Sequence, residues 1–277
     1  MIKVRKRFQK VNICGTDIDN VSMEEVLQAI ERYIRAGSCE YVVTPNVDHL
    51  IKLREDEEFR RIYADSAIRI PDGMPLIWAS RYLKTPLRQK VSGSDLVLEI
   101  CKLSDYKGYR LFFLGGEPPA AQLAKEKLET QFKSIQICGV YSPPFGFEYD
   151  KAENQKIVQM IKEVKPDILL VGLGAPKQEK WINRYYKELE VPVSIGVGIT
   201  FGFISGMVKR APIWMQKKGL EWLWRLLNEP KRLWKRYLLE DMRIFWLVFQ
   251  QKRQFLTKRS FKIIHSEVGE AGYKTRA

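Results

Sequence analysis

Short runs of β-branched and aromatic residues alternate with longer stretches whose apolar positions recur at helical spacing over most of residues 10–204. The strand-like runs are VNICGTDI (11–18), CEYVVTPN (39–46), AIRIPDG (67–73), YRLFFLGG (109–116), IQICGVY (135–141), DILLVGLG (167–174) and VPVSIGVG (191–198). Helical spacing predicts helices over 22–36, 47–65, 94–103, 118–132, 154–164 and 178–189, the first opened by Ser22 and Glu25 at capping-box spacing. A helix after nearly every strand predicts an α/β fold: a mostly parallel sheet flanked by helices, a Rossmann-like core. No repeat or low-complexity linker interrupts the array, so 1–204 reads as one α/β domain.

Gly, Ser and Pro at 202–212 end the alternation, and 205–250 reads as a helical appendage. Pro230 suits the first turn of a new helix, with Asn228 as a candidate cap. Along that helix Arg232, Arg236 and Arg243 fall on one face and Trp234, Leu238, Met242 and Phe245 on another. Residues 251–277 turn polar and are expected to be partly disordered.

Charge changes the picture most in this last quarter. The chain of 277 residues carries a net +14, and 205–277 holds 17 Lys+Arg against 6 Asp+Glu, whereas 1–204 holds 30 against 27. Five of the seven tryptophans are also there: Trp214, Trp222, Trp224, Trp234 and Trp246. Indole rings settle at headgroup depth while Lys and Arg pair with phosphate, so the pattern predicts an appendage that associates with an anionic membrane surface. Contact should be peripheral, because no stretch reaches the ~20 apolar residues that span a bilayer. A basic nucleic-acid-binding protein is the alternative of another class, but no zinc-finger spacing, RNP-like aromatic pair or arginine-rich arm accompanies the charge. The four cysteines are far apart and form no C-x-x-C, which fits reduced thiols, and the N-terminus has no apolar run of signal-peptide length. The expected location is cytoplasmic, on the inner face of the plasma membrane.

Ligands of open parallel sheets bind beyond the carboxyl ends of the strands, so the chemistry is sought in the loops there. Thr44-Pro45-Asn46, Pro71-Asp72-Gly73, Ala175-Pro176-Lys177-Gln178 and Ile199-Thr200-Phe201 are four such loops. A fifth, Gly115-Gly116-Glu117-Pro118, opens a helix with glycines that could cradle phosphate. A dinucleotide fingerprint fails at its third glycine, where Lys177 stands, which disfavours a Rossmann dehydrogenase or a sugar-nucleotide epimerase. No Walker A sequence is present. Asp17-Ile18-Asp19 resembles a metal-binding D-x-D but reads better as part of a turn. With two histidines, His49 and His265, no metal requirement and no cofactor are expected.

TPNVDHL, IPDGMPLIW, KVSGSDL, LGGEP, VGLGAPKQEKW and KRAPIWMQKKGLEWLWRLLNEPKRLWKRY occur in that order and together resemble the bacterial WecG/TagA/CpsF glycosyltransferases, over about residues 11–237. The resemblance implies transfer of a sugar from a UDP-sugar to a polyprenyl-diphosphate-linked acceptor. The best known members invert the anomeric centre as they add N-acetylmannosamine to undecaprenyl-diphosphate-linked N-acetylglucosamine in wall teichoic acid synthesis. Another UDP-hexose, such as N-acetylmannosaminuronic acid or glucose, stays open as the donor.

The same resemblance assigns the general base to Asp72. Position after a strand, between two prolines, favours that role, although Asp-Gly is also a common turn pair. Thr44 and Asn46 are implied to bind substrate, with Asn46 equally suited to capping the following helix. Gln178 is implied to face the same pocket. Lys90 stands where the family usually has arginine, keeping the charge but losing the bidentate fork. Arg225, Arg232 and Arg236 match arginines of the family's C-terminal appendage, implied to reach the leaving diphosphate. An exposed apolar face on the core could also support a homo-oligomer.

Overall fold

The computed structural model describes residues 8–255 and 257. Its centre is a six-stranded parallel sheet of β3 (Glu40–Val43), β4 (Ile68–Arg69), β5 (Arg110–Gly115), β6 (Gln136–Tyr141), β7 (Ile168–Gly172) and β8 (Val193–Gly196), in the spatial order β4-β3-β8-β7-β5-β6. The period-2 alternation of strands divides the core into two layers. Leu111 and Phe113 of β5 face one layer with Val42, Leu170 and Ile195; Phe112 and Leu114 face the other with Val43, Leu169 and Val171. The first layer is covered by α1 (Met23–Ala36), α5 (Gly93–Lys107), α6 (Ala120–Gln131) and α9 (Thr200–Ser205). The second is covered by α3 (Glu57–Asp65), α7 (Lys151–Val164) and α8 (Lys177–Leu189). The fold is therefore the α/β architecture expected from the alternation.

Three local expectations are corrected. VNICGTDI is not one strand but a hairpin, β1 (Lys10–Ile13) and β2 (Thr16–Asp19), antiparallel and apart from the main sheet. Cys14 and Gly15 both adopt positive φ, 52° and 87°, which closes a two-residue turn matched to the twist of the strands. Asp19 of this hairpin accepts from the Arg69 backbone N–H at 2.8 Å, and Asp17 accepts from Asn12, so the D-x-D is a structural fastening. The helix expected over 47–65 breaks into α2 (Val47–Glu55) and α3, because Asp56 turns to φ −110°, ψ 107° and caps α3 through the Phe59 N–H. Between the PDG and SGS loops lies α4 (Met74–Tyr82), which the sequence pattern did not announce.

Beyond α9 the chain forms α10 (Ile213–Lys217), α11 (Glu221–Asn228), α12 (Pro230–Lys235), a π-helical turn (Arg236–Glu240) and a helix over 243–255, α13. Pro230 begins α12 as expected, but Asn228 is not its cap: the side chain donates back to the Trp224 carbonyl, and Glu229 occupies the cap position. Residues 251–255, expected to start a polar tail, continue α13; residues 258–277, with His265, lie outside the described residues. The π turn shifts register, so Arg232 and Arg236 face a cleft while Arg243 pairs with Glu55 at 2.8 Å elsewhere.

The C-terminal helices are packed into the body of the protein. Ile244 and Val248 of α13 are buried with Val11, Ile13 and Ile18 of the hairpin, Leu50 of α2, and Leu76 and Ile77 of α4. Each such aliphatic burial stabilises by about 1.5–3 kcal/mol. Gln251 adds register: its amide oxygen accepts from the Cys14 N–H and its nitrogen donates to the Asn12 carbonyl.

Candidate active site

The carboxyl ends of four adjacent strands, β4, β3, β8 and β7, open into a cleft of about 670 Å³ whose far wall is built by the C-terminal helices. From the strand ends come Thr44 and Asn46, Asp72, Gly174, Ala175 and Gln178, and Val197 to Ile199; from the other side come Arg225, Arg232, Arg236 and Tyr237. The glycine loop after β5 does not line the cleft. The Gly116 N–H already donates to the Gly172 carbonyl at 2.8 Å, so these glycines serve close strand-to-loop packing.

Asp72 is half-buried on the cleft wall and held from several sides. Its N–H donates to the Pro45 carbonyl at 2.9 Å, joining the PDG loop to the TPN loop, and Val91 N–H donates to the Pro71 carbonyl at 2.9 Å. One carboxylate oxygen accepts from the Gly93 N–H at 3.4 Å, at the positive end of α5. Burial pushes the Asp72 pKa up to about 6, against the pull of the Lys90 cation and of that N–H, while Glu221 and Asp95 push it further up. The group is ionised at neutral pH yet more basic than an ordinary aspartate, which suits proton abstraction.

Thr44 is buried at the edge of the cleft, its hydroxyl donating to the Gly196 carbonyl at 3.3 Å. Asn46 caps α2, its side-chain oxygen accepting from the His49 N–H at 3.2 Å, and the residue also lines the cleft. His49 is a core residue: its Nδ1 lies 2.6 Å from the Tyr63 hydroxyl, and burial pulls its pKa down to about 3, so the ring is neutral.

Gln178 is fixed at both ends of its amide. The oxygen accepts from the Gly198 N–H at 3.0 Å, and the nitrogen donates to Glu179 at 2.8 Å. Glu179, which the sequence reading did not single out, is fully buried, and burial pushes its pKa up to about 7. Only glycine fits beneath this amide, since a Cβ at Gly196 would sit 2.7 Å from the Gln178 nitrogen. Gly196→Ala is therefore expected to swing Gln178 out of place and lower turnover at least tenfold, with far-UV circular dichroism unchanged. Unaltered turnover in a folded Gly196→Ala protein would separate Gln178 from the chemistry.

The cationic residues divide unevenly. Lys90 does not line the cleft; its ammonium pairs with Glu221 of α11 at 3.0 Å, so it acts on Asp72 through charge rather than by offering a free donor. Arg210, not anticipated, does line the cleft and pairs with Asp95 at 2.6 Å. Arg232 is clamped on Glu229 of the preceding turn. Arg236 lies between Asp48 at 3.5 Å and Asp241 at 3.7 Å and over the Tyr237 ring at 5.4 Å. Burial pushes the Asp241 pKa up to about 6 despite Arg236. Arg225 has no ion pair among the described residues, and its Nε is buried without a hydrogen-bond partner. An apolar wall of Met74, Trp78, Trp222, Met242 and Phe245 completes the cleft.

This arrangement places a raised-pKa carboxylate across from arginines that can receive a departing anion. The chain is 28% identical, over 84% of its own length and 90% of theirs, to proteins named N-acetylglucosaminyldiphosphoundecaprenol N-acetyl-beta-D-mannosaminyltransferase from Staphylococcus aureus strains MW2, NCTC 8325 / PS 47 and COL. Residues 11–258 match the family described as glycosyl transferase WecG/TagA/CpsF, a span that takes in every strand end and every C-terminal helix around the cleft; the chain belongs to this family and is a glycosyltransferase.

Proposed function

We propose that the chain transfers N-acetylmannosamine from its UDP-sugar to undecaprenyl-diphosphate-linked N-acetylglucosamine, inverting the anomeric centre, in teichoic acid or surface polysaccharide synthesis. The observation that carries this reading is the meeting, in one cleft, of Asp72 with arginines of the C-terminal helices and an apolar wall. In the step so built, Asp72 takes the proton of the acceptor hydroxyl as its oxygen attacks the anomeric carbon. The bond from that carbon to the UDP oxygen breaks, and the electron pair leaves with UDP. Arg225, aided by Arg232 and Arg236, offsets the charge that develops on the diphosphate, and such fixed donors act only where charge appears. Thr44, Asn46 and Gln178 hold sugar hydroxyls.

The lipid acceptor requires approach to a membrane, and the surface beside the cleft suits one. Trp214, Trp234, Phe245 and Trp246 are exposed at 49–60%, and Lys217, Lys218, Lys231 and Lys235 of the same C-terminal segment are exposed too, Lys218 over the Trp214 ring. The contact proposed is peripheral, and among the described residues no helix is long and apolar enough to cross a bilayer.

The test is UDP release by the full chain from UDP-N-acetylmannosamine, with the lipid-linked N-acetylglucosamine acceptor in phosphatidylglycerol vesicles. Release is expected only when donor and acceptor are both present, and a product carrying both sugars should be recovered from the lipid phase. Release that ignores the acceptor would overturn the reading. Preference for a different UDP-hexose would overturn the choice of sugar alone.

A further inference from the structure

Four charged side chains form a chain between the C-terminal helices and the loop that bears Asp72. Lys90 meets Glu221 at 3.0 Å, Glu221 faces the Arg210 Nε at 3.7 Å, and Arg210 meets Asp95 at 2.6 Å. Lys90 and Asp95 belong to the core, and Arg210 and Glu221 to the C-terminal segment, so two of these contacts cross between them. The core partners flank the Asp72 anchor. Asp95 sits in the first turn of α5 with Gly93, whose N–H holds the Asp72 carboxylate, and Val91 beside Lys90 is bonded to the Pro71 carbonyl. The side chains of Lys90, Arg210 and Glu221 are 15%, 21% and 29% exposed, so the contacts of Glu221 are screened less than surface pairs, whereas Asp95, 39% exposed, meets Arg210 nearer to solvent.

We propose that Glu221 is a positioning residue that fastens α11 to the Asp72 loop and sets the balance of charge that Asp72 feels. This rests on Asp72 being the base. The groups around Asp72 have opposed effects. Lys90 favours its ionised form, as does the Gly93 N–H, while Glu221 and Asp95 disfavour it. Arg210 draws on both of these carboxylates. On the core side, Tyr63 is held neutral, its pKa pushed well above the usual range by burial and then by Glu179, Asp48 and Asp72. The cleft side presents Arg225, Arg232, Arg236 and Asp241. Docking of α11 therefore brings a carboxylate that takes up the Lys90 cation and keeps Asp72 basic. With Glu221 away, Lys90 would act on Asp72 unopposed and the base would weaken.

The test is the pH dependence of turnover in two variants. Glu221→Gln removes the opposing charge, so the acid limb of the profile is expected to move to lower pH by about half a unit, with a lower plateau. Lys90→Met removes the favourable charge, so its limb is expected to move to higher pH by a similar amount. A clasp that only held the helices together would lower the melting temperature or the plateau and leave both limbs in place. Unmoved limbs, or limbs that move in the same direction, would overturn the proposal. Retained activity in Asp72→Asn would instead remove the base reading on which it rests, so the two failures are distinguishable.

Discussion

Asp72→Asn is expected to lower turnover by about 10²–10⁴-fold, the usual contribution of a positioned general base, while the melting temperature stays level or rises. The amide keeps an oxygen to accept from the Gly93 N–H and keeps the size of the side chain, so the loop should stand. It cannot accept a proton. The direction of the stability change follows from the raised pKa of about 6. An aspartate whose folded pKa lies above its unfolded value opposes folding once it ionises, a cost that grows as pH rises from about 4 to 6 and persists above. Asparagine removes that cost at neutral pH. The same raised value predicts that wild-type turnover falls about tenfold per unit below pH 6 as the base is protonated. Calorimetry beside turnover measurements from pH 5 to 8 checks all three statements, and near-normal turnover of a folded Asp72→Asn protein removes Asp72 from the base role.

The loop that bears Asp72 could be found from the sequence for a topological reason, whereas the role of base came from the resemblance to the family. A parallel sheet places its ligands after its strands, and PDG follows a strand-like run, as do TPN and GAPKQ. The same logic pointed to the glycine loop after β5, which the structure leaves outside the cleft. Local pattern also predicted the six strands of the main sheet and most of the helices around it. It missed α4 because MPLIWASRY opens on Gly73 and Pro75 without a side-chain cap, and Trp78 lies 40% exposed among buried neighbours, which blurs a helical period. It missed the hairpin because Cys14, at positive φ, is not a residue that advertises a turn.

What the sequence could not show is pairing at a distance. Lys90 reads as a free cation, yet its partner Glu221 is 131 positions away. Glu179 looks like one more solvated charge on a helix, and it is fully buried. Asp48 and Asp241 occupy Arg236, so three arginines that look equivalent along the chain are not equivalent in the cleft. Burial and pairing decide which charge is available, and both are properties of the assembled structure.

That inequality yields an order of effects. Arg225→Ala is expected to lower turnover most among the three arginines, by about 10²–10³-fold, with little change in melting temperature. Arg225 reaches the cleft without a carboxylate to neutralise it among the described residues, so its charge is free for a departing diphosphate. Arg225→Lys should recover only part of the loss, because an ammonium keeps the charge without the planar fork. Arg232 is exposed and tied to Glu229, so Arg232→Ala should cost less. Arg236→Ala should act largely through stability, since it strips the nearest cation from half-buried Asp241 and leaves buried Asp48 with Lys52 alone, at 2.8 Å, to offset its charge. Donor KM and kcat measured with the melting temperature of each variant separate these cases. If Arg232→Ala or Arg236→Ala, at unchanged melting temperature, costs more turnover than Arg225→Ala, then the charge on the leaving group is met by an arginine that must first give up its carboxylate. Substrate binding would then have to break an ion pair before transfer could begin.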